Sequence, residues 1–493
     1  MIQRSMLAAA VAFAIATFAA ASAPAAPIPE GPEAGTQRPF IGTRASPKPV
    51  PMPAVPQHPF MALNGRSNIH SDAYQSDTHL PAGPLGRGTE TLSTFQVAEC
   101  ASATFDSQGR IVTVCVGVEG PRIAMFDPQT LERLATFPLP PRSGGGGGNP
   151  LSDFSGGGYF YLDDQDRVVV PTNTRHIWIV GETSGPAGPG FELVRDYDLS
   201  LTVLPNDGII SALPDWSGRI WFASVRGIVG TVDPAAGTVK SVNPGEHIGN
   251  SFAVDETGGV FIVTDAALYR FDALPDGTPS VTWRELYDNI GVQKPGQTQA
   301  GSGTTPTLMA PGYVAITDNA DPMKIVVYRR AANVSGSRLV CSRAVFRRGA
   351  GSTDQSLIGA DRSLVVENNF GYTGPTSVMN GATTVPGFER VDVSPNGTCH
   401  TVWRNWRESA PSVVPKLSLG AGLVYTYTKP SDPTGQVDSW YFTALDFRTG
   451  KTVYKRLAGT GLGYNNNFAP VTVGPDGTAY VGVIGGLTLF RDR

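Results

Sequence analysis

The residues best equipped for chemistry recur at one kind of place, just ahead of short strand pairs joined by a D-x-x-G turn. They are Glu99, Asn206 and Asp207, Asn250, Thr304 and Thr305, Gln355, Lys416, and the run Asn465, Asn466 and Asn467. A carboxylate among amide and hydroxyl oxygens suits a hard cation such as Ca²⁺, which takes six to eight oxygens. The same side chains would equally line a water-filled channel. Asp207, and after it Glu367 in "VVENNFGY", are the carboxylates placed to serve as general base toward a metal-bound water. Asn466, Gln355 and Thr304 are expected to hold a substrate, and the "ENN" and "NNN" runs could bind a small polar ligand through their amides.

Other chemistries find less support. No two of the six histidines share a metal-binding spacing on one element, although His70, in the polar N-terminal segment, and His247, just before Asn250, merit a check. No G-x-S-x-G elbow marks a nucleophilic serine. The glycine run from Gly144 to Gly148 reads as a loop, since neither a lysine nor a strand-to-helix context accompanies it. Lysine and arginine are scattered singly and the net charge is −4, so nucleic acid is excluded as a partner.

These residues need a scaffold that repeats. The chain has 58 glycines, 41 prolines and only 16% charged residues, a composition of many turns and short strands. A unit of short strand, D-x-x-G turn, β-branched strand, third strand and fourth strand recurs from residue 91 onward. "ATFDSQGRIVTVCV", "FAVDETGGVFIVTDAALYRFDA" and "VTVGPDGTAYVGVIGGLTLFRD" are clear copies. About eight units of roughly 35 to 60 residues fit the blades of an all-β, single β-propeller, with seven the alternative count. A lone four-stranded sheet cannot bury both faces, whereas blades stacked around an axis can. The last copy ends after its third strand, and "TLSTFQVA", Thr91 to Ala98, is expected to close the ring by supplying the fourth.

Ahead of the propeller, residues 1–25 read as a secretory signal peptide: Arg4, then an apolar run too short to span a bilayer comfortably, then small residues suited to cleavage. Residues 26–63 form a proline-rich, flexible leader, and residues 64–90 a polar segment packed on the body without joining its sheets. Four cysteines in an exported chain allow two bridges. Pairing Cys100 with Cys115 across a turn needs only a compatible register, and Cys341 would then pair with Cys399 between repeats.

"GNSFAVDETGGVFIVTD", Gly249 to Asp265, resembles the N-G-[LI]-A-x-[SD]-x-D-G-x-x-[LM]-Y-V-x-D stretch of the gluconolactonase/regucalcin family, within the strictosidine-synthase-like propellers. "PNDGIISALPDWSGRIWFAS", Pro205 to Ser224, is similar to that family's N-D-G-x-x-D-x-x-G-R-x-W stretch, with four residues inserted. The resemblance implies that Glu99 and Asn250 are metal ligands and that Asn206 holds substrate or metal. Where the family has its third ligand and base, an aspartate, this chain reads "GSGTTPTLM", and the family's propellers have six blades. "TALDFRTGKTVYKRLAG" resembles one blade of the pyrroloquinoline-quinone dehydrogenases without its tryptophan.

Together these features lead to a secreted or periplasmic propeller, expected as a monomer with no membrane span and a small molecule at its channel mouth. Its first functional reading is a divalent-metal-dependent, lactonase-like hydrolase acting on a small polar or cyclic ester. The alternatives are a non-catalytic ligand- or protein-binding propeller and a quinone- or copper-dependent oxidoreductase.

Overall fold

A computed structural model describes residues 25–31, 34–141, 156–186 and 188–493. Residues 1–25, read above as a signal peptide, save Ala25, and the Gly144–Gly148 run lie outside the described residues. The described residues form eight sheets, each one blade of a β-propeller. Their innermost strands, in blade order 1 to 8, are Ala98–Cys100, Tyr161–Leu162, Ile209–Pro214, Ala253–Val254, Thr307–Met309, Ile358–Ala360, Lys416–Ser418 and Val471–Val473.

Burial follows position in the blade. Second strands such as Val168–Pro171, Ile220–Ser224 and Val260–Val263 are covered on both faces by neighbouring blades and are apolar but for Ser224. Outermost strands such as Arg133–Pro138 and Leu339–Ala344 are largely exposed and carry charges. Rings interlock between blades, as where Phe442 of blade 7 stacks on Phe490 of blade 8 at 4.6 Å.

The recurring aspartates make the turns. Asp215 accepts the Ser217 and Arg219 amides through Oδ1, at 2.8 and 3.1 Å, and the Trp221 indole N–H through Oδ2 at 2.8 Å. Gly218 takes the left-handed backbone this turn requires, at φ 87°. In blade 2 Asp166 stands in the glycine's place, at φ 59°, a conformation that aspartate tolerates better than most residues. Asp215→Ala, which strands the buried Trp221 N–H and two turn amides, is expected to cost about 2 kcal/mol in urea unfolding.

Closure follows the strand count. Glu90–Phe95 pairs antiparallel with Gly486–Arg491 and completes blade 8. The closing strand ends earlier than expected, because Ala98 already belongs to blade 1, beyond a turn in which Val97 has φ 51°. Both disulfides form: Cys100 and Cys115 face each other within blade 1, and Cys341–Cys399 ties the outermost strands of blades 5 and 6.

The proline-rich leader is extended and seated on the body. Phe40–Gly42 adds an outer strand to blade 7, an edge where the neighbouring prolines withhold no sheet hydrogen bond. Further along, the Lys48 and Val50 amides donate to the Ala421 and Leu419 carbonyls at 2.9 and 2.8 Å.

The polar segment fills the centre of the ring. Carbonyls of Arg66, Ser67, Ala73, Tyr74, Ser76 and Asp77 accept, in turn, the amides of Phe105, Leu162, Val254, Leu308, Gly359 and Leu417, which lie in blades 1, 2, 4, 5, 6 and 7. Thr78–His79 joins blade 7 as a short parallel strand, contrary to the expectation that the segment stays outside the sheets. Its polar composition satisfies its own turns. Asn68 accepts the His70 amide at 2.7 Å, and Asp72 takes both the amide and the hydroxyl of Ser76, at 3.2 and 2.5 Å.

Candidate functional site

The loops entering the inner strands gather at one mouth, and the plug forms a floor beneath them. The resulting cavity, of about 80 Å³, is lined by Glu99 to Val116 residues of blade 1, Gly157–Tyr159 ahead of blade 2, Thr305, Asp354–Ser356, Val414, Asn467 and Phe468, with Ile69 and His70 below. A volume of this size admits several waters or one small organic molecule. One wall is apolar, with Val114, Val116, Val414 and Phe468, and no lysine or arginine is among the described lining residues.

The plug's charges sit under this floor. Asp77, fully buried, receives the Lys416 ammonium, which also donates to the Ile69 carbonyl. Burial raises the Asp77 carboxyl, but Lys416 and His70 outweigh it, so Asp77 is held below the usual carboxylate range and is ionised. His70 Nδ1 lies 3.1 Å from Asp77 Oδ1 and 2.9 Å from Ser356 Oγ, while Ser356 spends its single proton on Asp77 Oδ2. Both neighbours of Nδ1 are therefore acceptors, and Nδ1 carries the ring proton. Burial, opposed by Asp77 and reinforced by Lys416, lowers the His70 pKa, so the ring is neutral with its lone pair on Nε2. Nε2 is buried, with essentially no accessible surface, and has no hydrogen-bond partner among the described residues. Serine, histidine and aspartate thus meet, but both neighbours share one ring nitrogen. A nucleophilic relay needs the serine on the other.

Asp354 is the second unusual group. Its Oδ2 accepts the Thr298 amide at 3.1 Å, its Oδ1 is buried without a partner, and burial pushes its pKa up to about 7. Across the cavity, Glu99 Oε2 accepts the Asn467 side-chain amide at 2.9 Å.

The expected site residues divide. Glu99 and Gln355 line the cavity, and Gln355 donates to the Ser412 carbonyl at 2.9 Å. Asn250 is buried behind Tyr159, whose hydroxyl donates to it at 3.1 Å and whose backbone bridges to Ser211 of blade 3. That loop screens the mouths of blades 3 and 4. Asn206 is exposed outside the cavity, its carbonyl accepting from Arg226 at 3.0 Å. Asp207 closes a turn, accepting the Gly208 and Arg226 amides at 2.8 and 2.9 Å, and does not line the cavity. Glu367 is buried outside the lining, bound by Asn369 at 2.8 Å, and burial, with Asp77 adding, lifts it well above the usual carboxylate range. Thr304 lies beneath the loop and accepts the Thr317 amide at 3.0 Å, leaving Thr305 at the wall. Asn466 turns inward to the Ala469 carbonyl at 3.1 Å, and Asn467 takes the wall instead. His247 is exposed on its loop.

A calcium ion does not fit this arrangement. The described residues hold no group of three or more His, Cys, Asp or Glu side chains able to bind a metal. Glu99, Asn206 and Asn250 do not share one cavity, and the buried Asp77 carboxylate is occupied by an ammonium. Asp77, Asp354, Ser356 and Tyr159 were missed as site residues. The available signal was the adjacency of Asp354 and Ser356 to Gln355, and of His70 and Asp77 within one polar segment.

No family model matches the chain. An uncharacterized protein of Archaeoglobus fulgidus is 28% identical over 323 residues, which cover 58% of this chain and 61% of that protein, so the chain spans less than two thirds of that relative's length. Among solved structures, BamB from Moraxella catarrhalis is similar over 81% of this chain and 98% of its own, with 11% identity and a TM-score of 0.46. A streptogramin B lyase is similar over 82% and 97%, with 12% identity and a TM-score of 0.39. No match assigns the gluconolactonase/regucalcin family. No helix among the described residues is long and apolar enough to cross a membrane.

Proposed function

We propose that this is an exported propeller that takes a small, uncharged polar molecule, of the size and polarity of a simple cyclic ester, into the mouth cavity. The observation that carries this reading is that one cavity joins an apolar wall, Val114, Val116, Val414 and Phe468, to the uncharged polar residues Ser102, Thr305, Gln355 and Ser356. A mostly apolar concavity with a few polar groups is the usual make-up of a small-molecule site. Glu99 and Asp354 with no facing cation among the described lining residues disfavour an anion. Export fits the two disulfides, which persist in oxidising compartments.

Calorimetric titration with δ-valerolactone tests this. Binding is expected for the native protein, at least tenfold weaker binding for Val116→Trp, whose indole would fill the cavity, and at least tenfold weaker binding of the anion 5-hydroxypentanoate. Equal binding of lactone by Val116→Trp, or none by the native protein, would overturn the reading.

A further inference from the structure

We propose that a cleft between blades 5 and 6, on the rim of the mouth face, binds a flat aromatic ring that carries a carboxylate. The site is separate from the mouth cavity and does not rest on the reading given for it.

Three stretches of chain build the cleft. The loop leaving the outermost strand of blade 5, Leu339–Ala344, supplies Arg347 and Ala350. The loop between the second and third strands of blade 6, Ser363–Glu367 and Phe388–Val393, supplies Asn368, Val385 and Pro386, and Trp406 follows that blade's outermost strand, Cys399–Asn405. The space is about 130 Å³. An apolar space of that order holds one benzene ring.

The cleft pairs apolar surface with an unspent positive charge. Trp406 is half-buried and Val385 is 36% exposed, so an aromatic and an aliphatic surface both reach solvent. The Arg347 guanidinium stands 5.6 Å from the centroid of the Trp406 ring. It is exposed and meets no carboxylate among the described residues. Asp321 is engaged by the Gly349 amide at 2.7 Å, and the buried Glu389 by the Phe346 amide at 2.7 Å and Arg404 Nε at 3.0 Å. A guanidinium is a planar fork that matches a carboxylate, and its weak hydration lets it work beside an aromatic ring. An aromatic acid would bring its ring against Trp406, Val385 and Pro386 and its carboxylate to Arg347.

The backbone holds this arrangement against strain. Phe346 has φ 59°, a left-handed conformation uncommon for a bulky side chain, and the chain passes there from buried Val345 and Phe346 to exposed Arg347 and Arg348. The Phe346 ring meets Trp406 edge-on at 6.2 Å, and a Cβ at Gly387 would come within 3.0 Å of the Phe346 ring, so glycine there leaves that ring its place. Strain fixed by several contacts at one point is a feature of ligand clamps.

The lining also selects the kind of ring. A sugar acid would bring hydroxyls that need partners, and the Asn368 amide in the lining is already engaged. Its Nδ2 donates to the Ala350 carbonyl at 2.9 Å, and its Oδ1 accepts the Ser352 and Phe370 amides, both at 3.2 Å. Hydroxyls left unpaired in the cleft weigh against binding, whereas an aromatic ring needs only apolar surface. A ring without charge would leave Arg347 unused.

Calorimetric titration with benzoate at low ionic strength tests the site. The native protein is expected to bind it, Arg347→Gln and Trp406→Leu to bind it roughly tenfold or more weaker, and Val116→Trp, altered at the mouth cavity, to bind it as the native protein does. Benzyl alcohol, which lacks the charge, and galacturonate, which lacks the aromatic ring, are each expected to bind the native protein roughly tenfold or more weaker than benzoate. No binding of benzoate, binding unchanged in Arg347→Gln, or galacturonate or benzyl alcohol held as tightly as benzoate would overturn the proposal. Benzoate lost by Val116→Trp and kept by Arg347→Gln would place it in the mouth cavity and overturn the proposal equally. Should Trp406→Leu fail to fold, Arg347→Gln decides, since the Arg347 side chain is exposed.

Discussion

Asp77→Ala should unfold at markedly lower urea concentration than the native protein, a loss of about 3–5 kcal/mol. Both partners of the Asp77–Lys416 pair are buried, with Lys416 fully so. Removing the carboxylate leaves an ammonium in a low-dielectric interior, with the Ile69 carbonyl as acceptor and the Asp72 carboxyl as the remaining acidic neighbour. Burial already lowers the Lys416 pKa against the opposing pull of Asp77, so in the variant the amine is expected to shed its proton. The double variant Asp77→Asn, Lys416→Met removes both charges and should recover most of the loss, because the pair's own net contribution is small once desolvation is counted. If the single variant unfolds like the native protein, the plug does not depend on this pair.

Replacing Cys341 and Cys399 with serine should cost about 4 kcal/mol, from the chain entropy of a bridge spanning 58 residues. The bridge joins blades 5 and 6 at their outermost strands, the part of each blade with the least burial. Because Cys341 and Cys399 are half-buried, whereas Cys100 and Cys115 are fully buried, thiol reagents should open the inter-blade bridge first. Mass analysis of partly reduced protein and urea midpoints of the serine variants measure both effects. Opening of Cys100–Cys115 first would contradict the order, and a midpoint unchanged in the double serine variant would contradict the cost.

The scaffold was readable because its signals are local. An Asp-x-x-Gly turn needs only four neighbouring residues, as Asp215 to Gly218 shows, and its spacing counts the blades. The missing fourth strand of the last copy pointed to Thr91–Ala98, since an unpaired edge needs a partner, and Glu90–Phe95 supplies it. The site was readable only in part. Position ahead of an inner strand brought Glu99 and Gln355 to the cavity, yet the same rule selected Asp207, whose Oδ1 accepts two amides of its own turn and which lies outside the lining. In the 465–467 run, all three residues satisfy the rule, and the left-handed backbone at Asn467 and Phe468 puts those two on the wall.

By itself the sequence determined a ring of about eight blades, with seven the alternative, and a closing N-terminal strand, because turns, strand periods and strand counts are properties of contiguous residues; its four cysteines allowed two bridges without fixing their pairing. Only the tertiary structure decided what fills the ring and which groups face the cavity. The plug is held by backbone hydrogen bonds to six blades, and Asp77 meets Lys416 across 339 residues of chain. Those encounters exist only once the ring has closed, since no local pattern encodes a distance between blades.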